Sequence, residues 1–461
     1  MAGARRLGTP VSLFACFMAA LVAAAAPAPG AAQASAGQPD APTATQPFPL
    51  TASTLPDSLV PEAARIRPSV PFDPKAATDA WLATVPPERR ERSDAYYEGG
   101  YWIQLWSFAL AVALALLFLQ LGWSRRLRDW AERRSRRAWI ATFLYYAGFT
   151  VLVALLSFPF TAYTGFVREH AYGLATQSFA GWLRDQLVAL AVSVVLGGIA
   201  VATLYAVLRR LPRSWPVWGA AVTIAFLVLG ALIGPVFIAP LFNRYTPLTD
   251  ARIRDPILRL ARANGVAAEN VWVMDASRQS TRVSANVSGL LGTERITLND
   301  NLLRRASPPE IEAVMGHEIG HYVLHHVYGS MLFLGVVVLA GFGLLRWAFG
   351  WATARWGERW GIRGIADPAG MPLLWLIFSI YGFVTAPLVS WYTRANESAA
   401  DLFALNAARQ PDAEALVILK LADYRKLDPG PLEELLFFDH PSGRARIHMA
   451  MRWKAESLTV P

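Results

Sequence analysis

Apolar and polar positions alternate along this chain on the scale of whole helices rather than of single residues. Six apolar runs each reach the length of about 20 residues that a bilayer span requires. A buried core helix would explain any one run, but six runs flanked by Trp, Tyr and Arg predict a polytopic membrane protein. The runs are Tyr101–Trp123, Ala138–Phe160, Gln186–Leu208, Val217–Ala239, Tyr328–Phe349 and Met371–Tyr392.

The first four runs follow one another closely, so residues 85–240 are predicted to form an N-terminal transmembrane domain of four spans. The chain then changes character. Ala251–Asn264 is typical of an amphipathic helix, and Val271–Met274 of a short strand. Ser284–Gly289 and Arg295–Leu298 are predicted to be two strands joined through residues 291–293. The predicted fold is therefore mainly α, with a small α+β domain at residues 241–461 that includes the last two spans.

The N-terminus carries a shorter apolar stretch, Val11–Ala26, after Arg5 and Arg6. With small residues at 32–34, this pattern predicts that residues 1–34 are a secretory signal peptide or a retained signal anchor. Residues 35–84 are rich in Ala, Pro, Thr and Asp, which favours a low-complexity, loosely ordered linker.

Composition supports the membrane interpretation, because only 17% of the residues are charged, against roughly 25% in soluble domains. The net charge of +9 does not indicate nucleic-acid binding, since the arginines concentrate in short loops between spans. Positive-inside logic places these loops in the cytoplasm and residues 240–327 on the opposite face. We therefore expect a bacterial inner-membrane protein with its soluble part in the periplasm. The loop arginines concerned are Arg125, Arg126, Arg128, Arg133, Arg134, Arg136, Arg137, Arg209, Arg210, Arg213, Arg355, Arg359 and Arg363.

Four of the seven histidines lie in one stretch of ten residues, HEIGHYVLHH, from His317 to His326. Ser307 and Glu310 form a capping-box pattern that predicts a helix running into this stretch. His317 and His321 are then neighbours on one helical face, as two ligands of a zinc ion would be. Glu318 lies one step round the helix, where it suits the general base acting on a zinc-bound water. A polar helix end at a membrane interface is the alternative.

The third zinc ligand has to come from elsewhere in the chain. Leu324 and Val327 occupy the positions where a metzincin would have Gly and His, so that layout fails. Glu397 follows the last span and is the best candidate for a site of two histidines and one glutamate, with the fourth position open to water. Asp401, one turn further on, is expected to orient a ligand histidine or to donate a proton. A solvated, charged helix end is the alternative for this segment.

Three further residues are candidates for contact with a substrate. His440, before Pro441, and Arg446 are expected to line the site and to stabilise an oxyanion, although a plain turn explains them equally well. Asn286 lies in the predicted hairpin, where a strand edge would accept an extended peptide. His325 and His326 are expected to continue the histidine helix, with supporting or interfacial roles.

Together these motifs resemble the type I CAAX prenyl endopeptidases, gluzincin-type enzymes of the membrane that are related to the bacterial heat-shock membrane proteases. The resemblance rests on HEIGH, on Arg394-x-x-Glu397-x-x-x-Asp401, on His440-Pro441 with Arg446, on the hairpin around Asn286, and on residues 168–173. It implies transmembrane helices around a large internal chamber and one zinc ion bound by His317, His321 and Glu397. Glu318 would be the base, with Asp401, His440 and Arg446 as further site residues.

The sequence therefore predicts a zinc-dependent membrane endopeptidase, acting on polypeptides that are membrane-associated or lipidated. A quality-control protease without CAAX specificity is one alternative, and a non-catalytic zinc-binding scaffold is another. Glu318 argues against the scaffold, because a structural zinc site needs no base. A metal transporter would need ionisable residues within several spans, and these apolar runs have almost none. The single cysteine, Cys16, excludes a zinc site built from cysteines.

Overall fold

The computed structural model describes residues 54–67, 70–288 and 294–458 of the chain. Helices dominate the described residues, and a single small sheet accompanies them. In chain order the main helices are α1 (Pro74–Ala83), α2 (Pro87–Gln120), α3 (Trp123–Arg134), α4 (Ala138–Ala171), α5 (Phe179–Arg210), α6 (Trp215–Leu241), α7 (Ala251–Ala263), α8 (Asp300–Arg305), α9 (Pro308–Val323), α10 (His326–Trp360), α11 (Met371–Ala408), α12 (Pro411–Lys420), α13 (Pro431–Phe437) and α14 (Gly443–Leu458).

Six of these helices, α2, α4, α5, α6, α10 and α11, are long and apolar enough to cross a membrane. This confirms the six predicted spans and the mainly helical fold. The helices extend well beyond the apolar runs, because a helix satisfies its own backbone hydrogen bonds both inside and outside the lipid. The parts of these helices that extend beyond the apolar runs contact the soluble part of the protein.

The arginine-rich loops lie together at one end of the helix bundle. Arg128 in α3 donates to Asp367 Oδ2 over 2.7 Å and to the carbonyl of Gly361 over 2.8 Å. Arg209, at the end of α5, reaches Thr142 at the start of α4 over 3.2 Å. The first, third and last connections therefore share one end, as the arginine distribution predicts.

The opposite end of the bundle meets the soluble part through a cluster of charged and aromatic side chains. The guanidinium carbon of Arg168 lies 4.1 Å from the ring centre of Tyr96. Arg282, from the soluble part, donates to Glu169 Oε2 over 2.5 Å and to the hydroxyl of Tyr96 over 2.7 Å. Helices α2 and α4 are thereby fastened to the residues that precede the hairpin.

The sheet has four strands in the order β1-β2-β4-β3, with bounds β1 (Tyr245–Pro247), β2 (Val271–Met274), β3 (Ala285–Ser288) and β4 (Arg295–Asn299). β2 and β4 are parallel, whereas β3 and β4 form the predicted antiparallel pair. The connection proposed at residues 291–293 lies outside the described residues. Buried residues of β4 pack with the apolar faces of α7 and α9 in one core. The sheet thus supports the helix that bears the paired histidines.

The predicted linker extends too far towards the C-terminus. Residues 1–53, which include the predicted signal segment, lie outside the described residues. From residue 54 onward the chain packs on the C-terminal helices: Trp81 in α1 is buried, and Lys454 in α14 donates to the carbonyl of Ala64 over 2.6 Å. The Ala- and Pro-rich composition of this segment is typical of a linker. A few large apolar residues, such as Trp81, are nevertheless enough to pack α1 against the C-terminal helices.

Candidate metal centre and active site

Helix α9 begins as the sequence predicts. The carboxylate of Glu310 accepts from the backbone N–H of Ser307 over 2.8 Å, which completes the capping box. The helix buries both His317 and Glu318. It ends at Val323, and His325 adopts a left-handed backbone with φ 55° before α10 begins at His326. The expectation that His325 and His326 continue the same helix is therefore wrong.

Two glycines let α11 approach α9 closely. A Cβ atom added at Gly316 would lie 3.1 Å from the Cα of Ala404, and one at Gly320 would lie 3.0 Å from a ring carbon of Phe403. Backbones this close leave little space between the helices. Glu397, two turns earlier on α11, consequently reaches the two histidines of α9.

The side chains of His317, His321 and Glu397 meet at one point. The Nε2 atoms of the two histidines are 3.1 Å apart. His317 Nε2 lies 3.2 Å from Glu397 Oε2, and His321 Nε2 lies 3.5 Å from Glu397 Oε1. Zinc bonds of about 2.0–2.1 Å in a tetrahedron place neighbouring ligand atoms roughly 3.3 Å apart. The three residues therefore fit a single zinc ion with one open position.

Asp401 holds the outer nitrogen of His317. Its Oδ1 lies 2.7 Å from His317 Nδ1, so Nδ1 carries the proton and Nε2 is left to face the other two ligand atoms. Arg446 donates from Nε to Oδ2 of the same carboxylate over 2.8 Å and from Nη2 to Oδ1 over 2.6 Å. All three side chains are buried.

The guanidinium of Arg446 contacts carboxylates that surround the centre and does not contact His317, His321 or Glu397 among the described contacts. Besides Asp401, it contacts Glu414 Oε1 at 3.4 Å. Burial and the nearby charge of Asp401 raise the pKa of the Glu414 carboxyl. Sequence reasoning missed Glu414, because an acid in the first turn of α12 is what a helix N-terminus favours anyway.

His321 has a hydrogen-bonding partner of its own. Its Nδ1 lies 2.9 Å from Nδ1 of His326, the first residue of α10. A metal ion on Nε2 would leave the proton on Nδ1, and His321 would then donate to His326. The backbone turn at His325 brings His326 next to His321. The sequence indicates only a supporting role for His326 and not this particular contact.

Glu318 is the carboxyl residue of α9 that directly follows His317, and it is buried. Its side chain is only 2% exposed. Burial raises the pKa of Glu318 above its usual value. A carboxylate whose pKa is raised in this way is a stronger proton acceptor than an exposed one, as a general base needs to be.

His440 contacts the same oxygen of Glu397 as His317 does. Its Nε2 lies 3.3 Å from Glu397 Oε2, and its Nδ1 lies 2.9 Å from the carboxylate of Asp439. The sequence pointed to His440 but not to Asp439, since one acid in a turn gives no signal. Seven of the eight predicted site residues thus lie around one buried point, namely His317, Glu318, His321, Glu397, Asp401, His440 and, through Asp401, Arg446.

Asn286 stands apart from this group. It lies in β3, opposite Thr297 of β4, and β3 forms one edge of the sheet. Within the described residues, its Oδ1 is buried and has no hydrogen-bond partner. An unpaired acceptor on an edge strand is compatible with contact to an extended peptide.

Comparison with known proteins places this arrangement in context. The family model described as peptidase family M48 matches residues 247–454. The model described as CAAX prenyl protease N-terminal, five membrane helices, matches residues 74–244. Residues 74–244 here contain four helices long and apolar enough to cross a membrane, one fewer than that description gives.

Relatives of this chain occur in bacteria and eukaryotes. The uncharacterized metalloprotease YhfN of Bacillus subtilis (strain 168) is 27% identical over 339 residues, which are 73% of this chain and 79% of that protein. CAAX prenyl protease 1 of Saccharomyces cerevisiae is 26% identical over 312 residues, 64% of this chain and 69% of that one. The crystal structure of S. mikatae Ste24p matches 80% of this chain and 89% of its own with a TM-score of 0.66 at 22% identity, and so has the same fold.

Proposed function

We propose that this membrane metalloendopeptidase, which matches peptidase family M48 over residues 247–454 and the CAAX prenyl protease N-terminal model over residues 74–244, cleaves peptide bonds at a zinc site formed by His317, His321 and Glu397. The 3.1 Å separation of the two histidine Nε2 atoms, and their distances of 3.2 and 3.5 Å to the carboxylate oxygens of Glu397, carry this proposal. A zinc ion held by these residues would supply Lewis-acid chemistry, polarising the scissile carbonyl and lowering the pKa of a bound water. The remaining steps belong to the side chains of the chain itself.

Glu318 acts as the general base. Its buried carboxylate takes a proton from the attacking water and returns it to the amine of the leaving peptide. His440, held by Asp439 over 2.9 Å, donates a hydrogen bond to the oxygen of the attacked carbonyl as negative charge develops there.

Asp401 and Arg446 act one step removed from the reaction. Both oxygens of Asp401 accept hydrogen bonds, Oδ1 from His317 and Arg446 and Oδ2 from Arg446, and these donors favour the ionised carboxylate over a proton-donating acid. We assign both residues to positioning: Asp401 fixes the ring of His317, and Arg446 fixes Asp401.

The substrate is proposed to be a polypeptide that is membrane-associated or lipidated. It would lie in extended form along the edge strand β3, with main-chain pairing aligned by Asn286. The yeast and plant relatives are named CAAX prenyl proteases, and we propose a CAAX-protease-like reaction without assigning a prenylated substrate. We further propose the bacterial inner membrane as the location, with the site on the periplasmic side, from the arginine-rich opposite end.

Metal analysis and proteolysis of labelled casein by detergent-purified protein test this proposal. Wild type is expected to hold one zinc per chain and to cut. Glu397→Ala should lose both zinc and activity, whereas Glu318→Gln should keep zinc and lose activity by about 10²–10⁴-fold. A Glu397→Ala protein that keeps zinc and cuts casein would place the third ligand elsewhere, and full activity in Glu318→Gln would refute the base.

A further inference from the structure

Arg394 lies one turn before Glu397 on α11 and is half-buried. Its guanidinium does not contact the three ligands. Instead, Nη1 donates to the carbonyl of Glu434 over 2.9 Å and to the carbonyl of Phe438, and Nη2 lies 3.4 Å from the carbonyl of Leu435.

The carbonyls of Glu434 and Leu435 lie in the last turn of α13, and that of Phe438 follows directly after the helix. The Glu434 carbonyl also accepts from the backbone N–H of Phe438 over 3.2 Å, and a cation at this place meets the negative end of the helix dipole. Arg394 therefore fixes the point where the chain leaves α13. Because His440 follows Phe438 by only two residues, that point determines where its ring can lie.

The other side of the His440 segment is tied down as well. The carboxylate of Glu434 accepts from the backbone N–H of Ser442 over 2.8 Å. The segment 438–442 is thus held at its start by Arg394 and at its end by Glu434. Its middle bears Asp439 and His440, whose ring lies 3.3 Å from Glu397.

Two residues of α11 therefore contact the His440 segment. One is Glu397, whose side chain reaches His440 directly. The other is Arg394, which reaches His440 through the carbonyl of Phe438. Arginine suits this place because its planar fork has five N–H donors, enough to bridge carbonyls four residues apart, whereas a lysine ammonium is a single point.

We propose that Arg394 is a positioning residue that sets His440 at the reacting carbonyl. The inference rests on the role of His440 in the proposed function. The proposed role predicts that replacing the guanidinium group of Arg394 slows the chemical step. Zinc binding and substrate binding should persist, because the change affects neither the proposed ligands nor the edge strand β3.

A double-mutant cycle between Arg394→Lys and His440→Ala tests this, with labelled casein as the probe and zinc content measured for every variant. Arg394→Lys is expected to keep its zinc, to lower kcat about tenfold through a small misplacement of His440, and to leave KM within about twofold. In the His440→Ala background, the same change should cost less than about twofold, since the residue that it positions is gone.

Arg452→Lys in α14 is the matched control, because Arg452 is exposed and, among the residues that the structure describes, pairs only with Glu456 over 3.0 Å; it should behave as wild type. If Arg394→Lys does not fold, Glu434→Ala replaces it, since that change removes the acceptor of the Ser442 backbone N–H at the other end of the same segment and should reproduce the pattern.

Equal losses from Arg394→Lys in both backgrounds, or loss of zinc, would overturn the positioning role and assign Arg394 to the fold or to the metal site. Full kcat in His440→Ala would instead refute the proposed role of His440 itself, and the inference would fall with it. That failure is distinguishable, because the effects of Glu397→Ala and Glu318→Gln do not depend on His440.

Discussion

The carboxylate of Asp401 serves two partners at once, a histidine on one side and an arginine on the other. His317 and Arg446 both donate hydrogen bonds to it. The positive charge of Arg446 compensates the negative charge of the buried carboxylate, which therefore stays ionised without contact with solvent. The orientation of a zinc ligand therefore depends on an ion pair buried in the C-terminal helices.

Replacing Asp401 by Asn tests this dependence. The amide can accept from only one of its two partners and turns its NH₂ towards the other, so His317 or Arg446 loses its contact. We expect zinc affinity to fall about 10–100-fold, measured by competition with a chelator.

Asp255→Asn is the control for this change, since Asp255 forms only a partly exposed pair with Arg254; its zinc affinity should equal that of wild type. Unchanged affinity in Asp401→Asn would show that His317 holds its ring without this carboxylate.

Most of the individual site residues can be predicted from the sequence, because zinc chemistry demands particular side chains at helical spacing. His317, Glu318, His321 and Glu397 follow from that demand alone. Asp439 and Glu414 do not, since an acid near a turn or a helix start has several ordinary explanations.

At the scale of elements, the site depends on the close contact of α9 with α11. The first supplies two of the proposed ligands and the second supplies the third, so their separation sets the distances between ligand atoms. Gly316 makes the contact possible, with its added Cβ only 3.1 Å from the backbone of Ala404.

Gly316→Val is expected to force the two helices apart. Overpacking of this kind costs about 1–3 kcal/mol of stability, and here it also separates Glu397 from the histidines. A lower Tm together with lower zinc content in purified protein is the expected result.

Gly343→Val in α10 provides the comparison, because nothing lies within 4 Å of a Cβ added there. It introduces the same side chain into a helix without a clash and should retain zinc. If both variants bind zinc as wild type does, the α9–α11 contact does not control the site.

Element prediction succeeded where a strong periodic or apolar signal exists, as in the six spans and the hairpin strands β3 and β4. It failed where three-dimensional packing decides. Helix α1 looks like linker by composition, yet it is ordered because Trp81 finds a buried place against the C-terminal helices. The break at His325 follows no Gly or Pro, so the sequence gives no warning of it.

On the scale of the whole molecule, the two ends of the bundle differ in kind. One end gathers short arginine-rich connections, and the other end bears the sheet and the proposed metal centre. The arginine distribution predicts this polarity, because short loops retain positive charge on the cytoplasmic side. The contacts of Arg128 and Arg209 confirm the grouping of the loops, while the side of the membrane stays a prediction.

Cysteine labelling of intact cells checks the orientation. In a Cys16→Ser background, a membrane-impermeant maleimide should label Glu269→Cys, an exposed position in the soluble part, once the outer membrane is opened. Arg133→Cys, exposed at the arginine-rich end, should be labelled only after the inner membrane is permeabilised. The reverse labelling pattern would show the opposite membrane topology and place the site on the cytoplasmic side.

Helix α11 runs without interruption from Met371, at the arginine-rich end, to Ala408 beside α9. Its 38 residues span about 57 Å at 1.5 Å per residue, so one element links the far membrane surface to Glu397. A bilayer of different thickness changes the tilt of such a helix. A thicker or thinner bilayer is therefore expected to shift Glu397, the proposed third ligand, relative to α9, so that the length of the lipid acyl chains would influence the reaction centre.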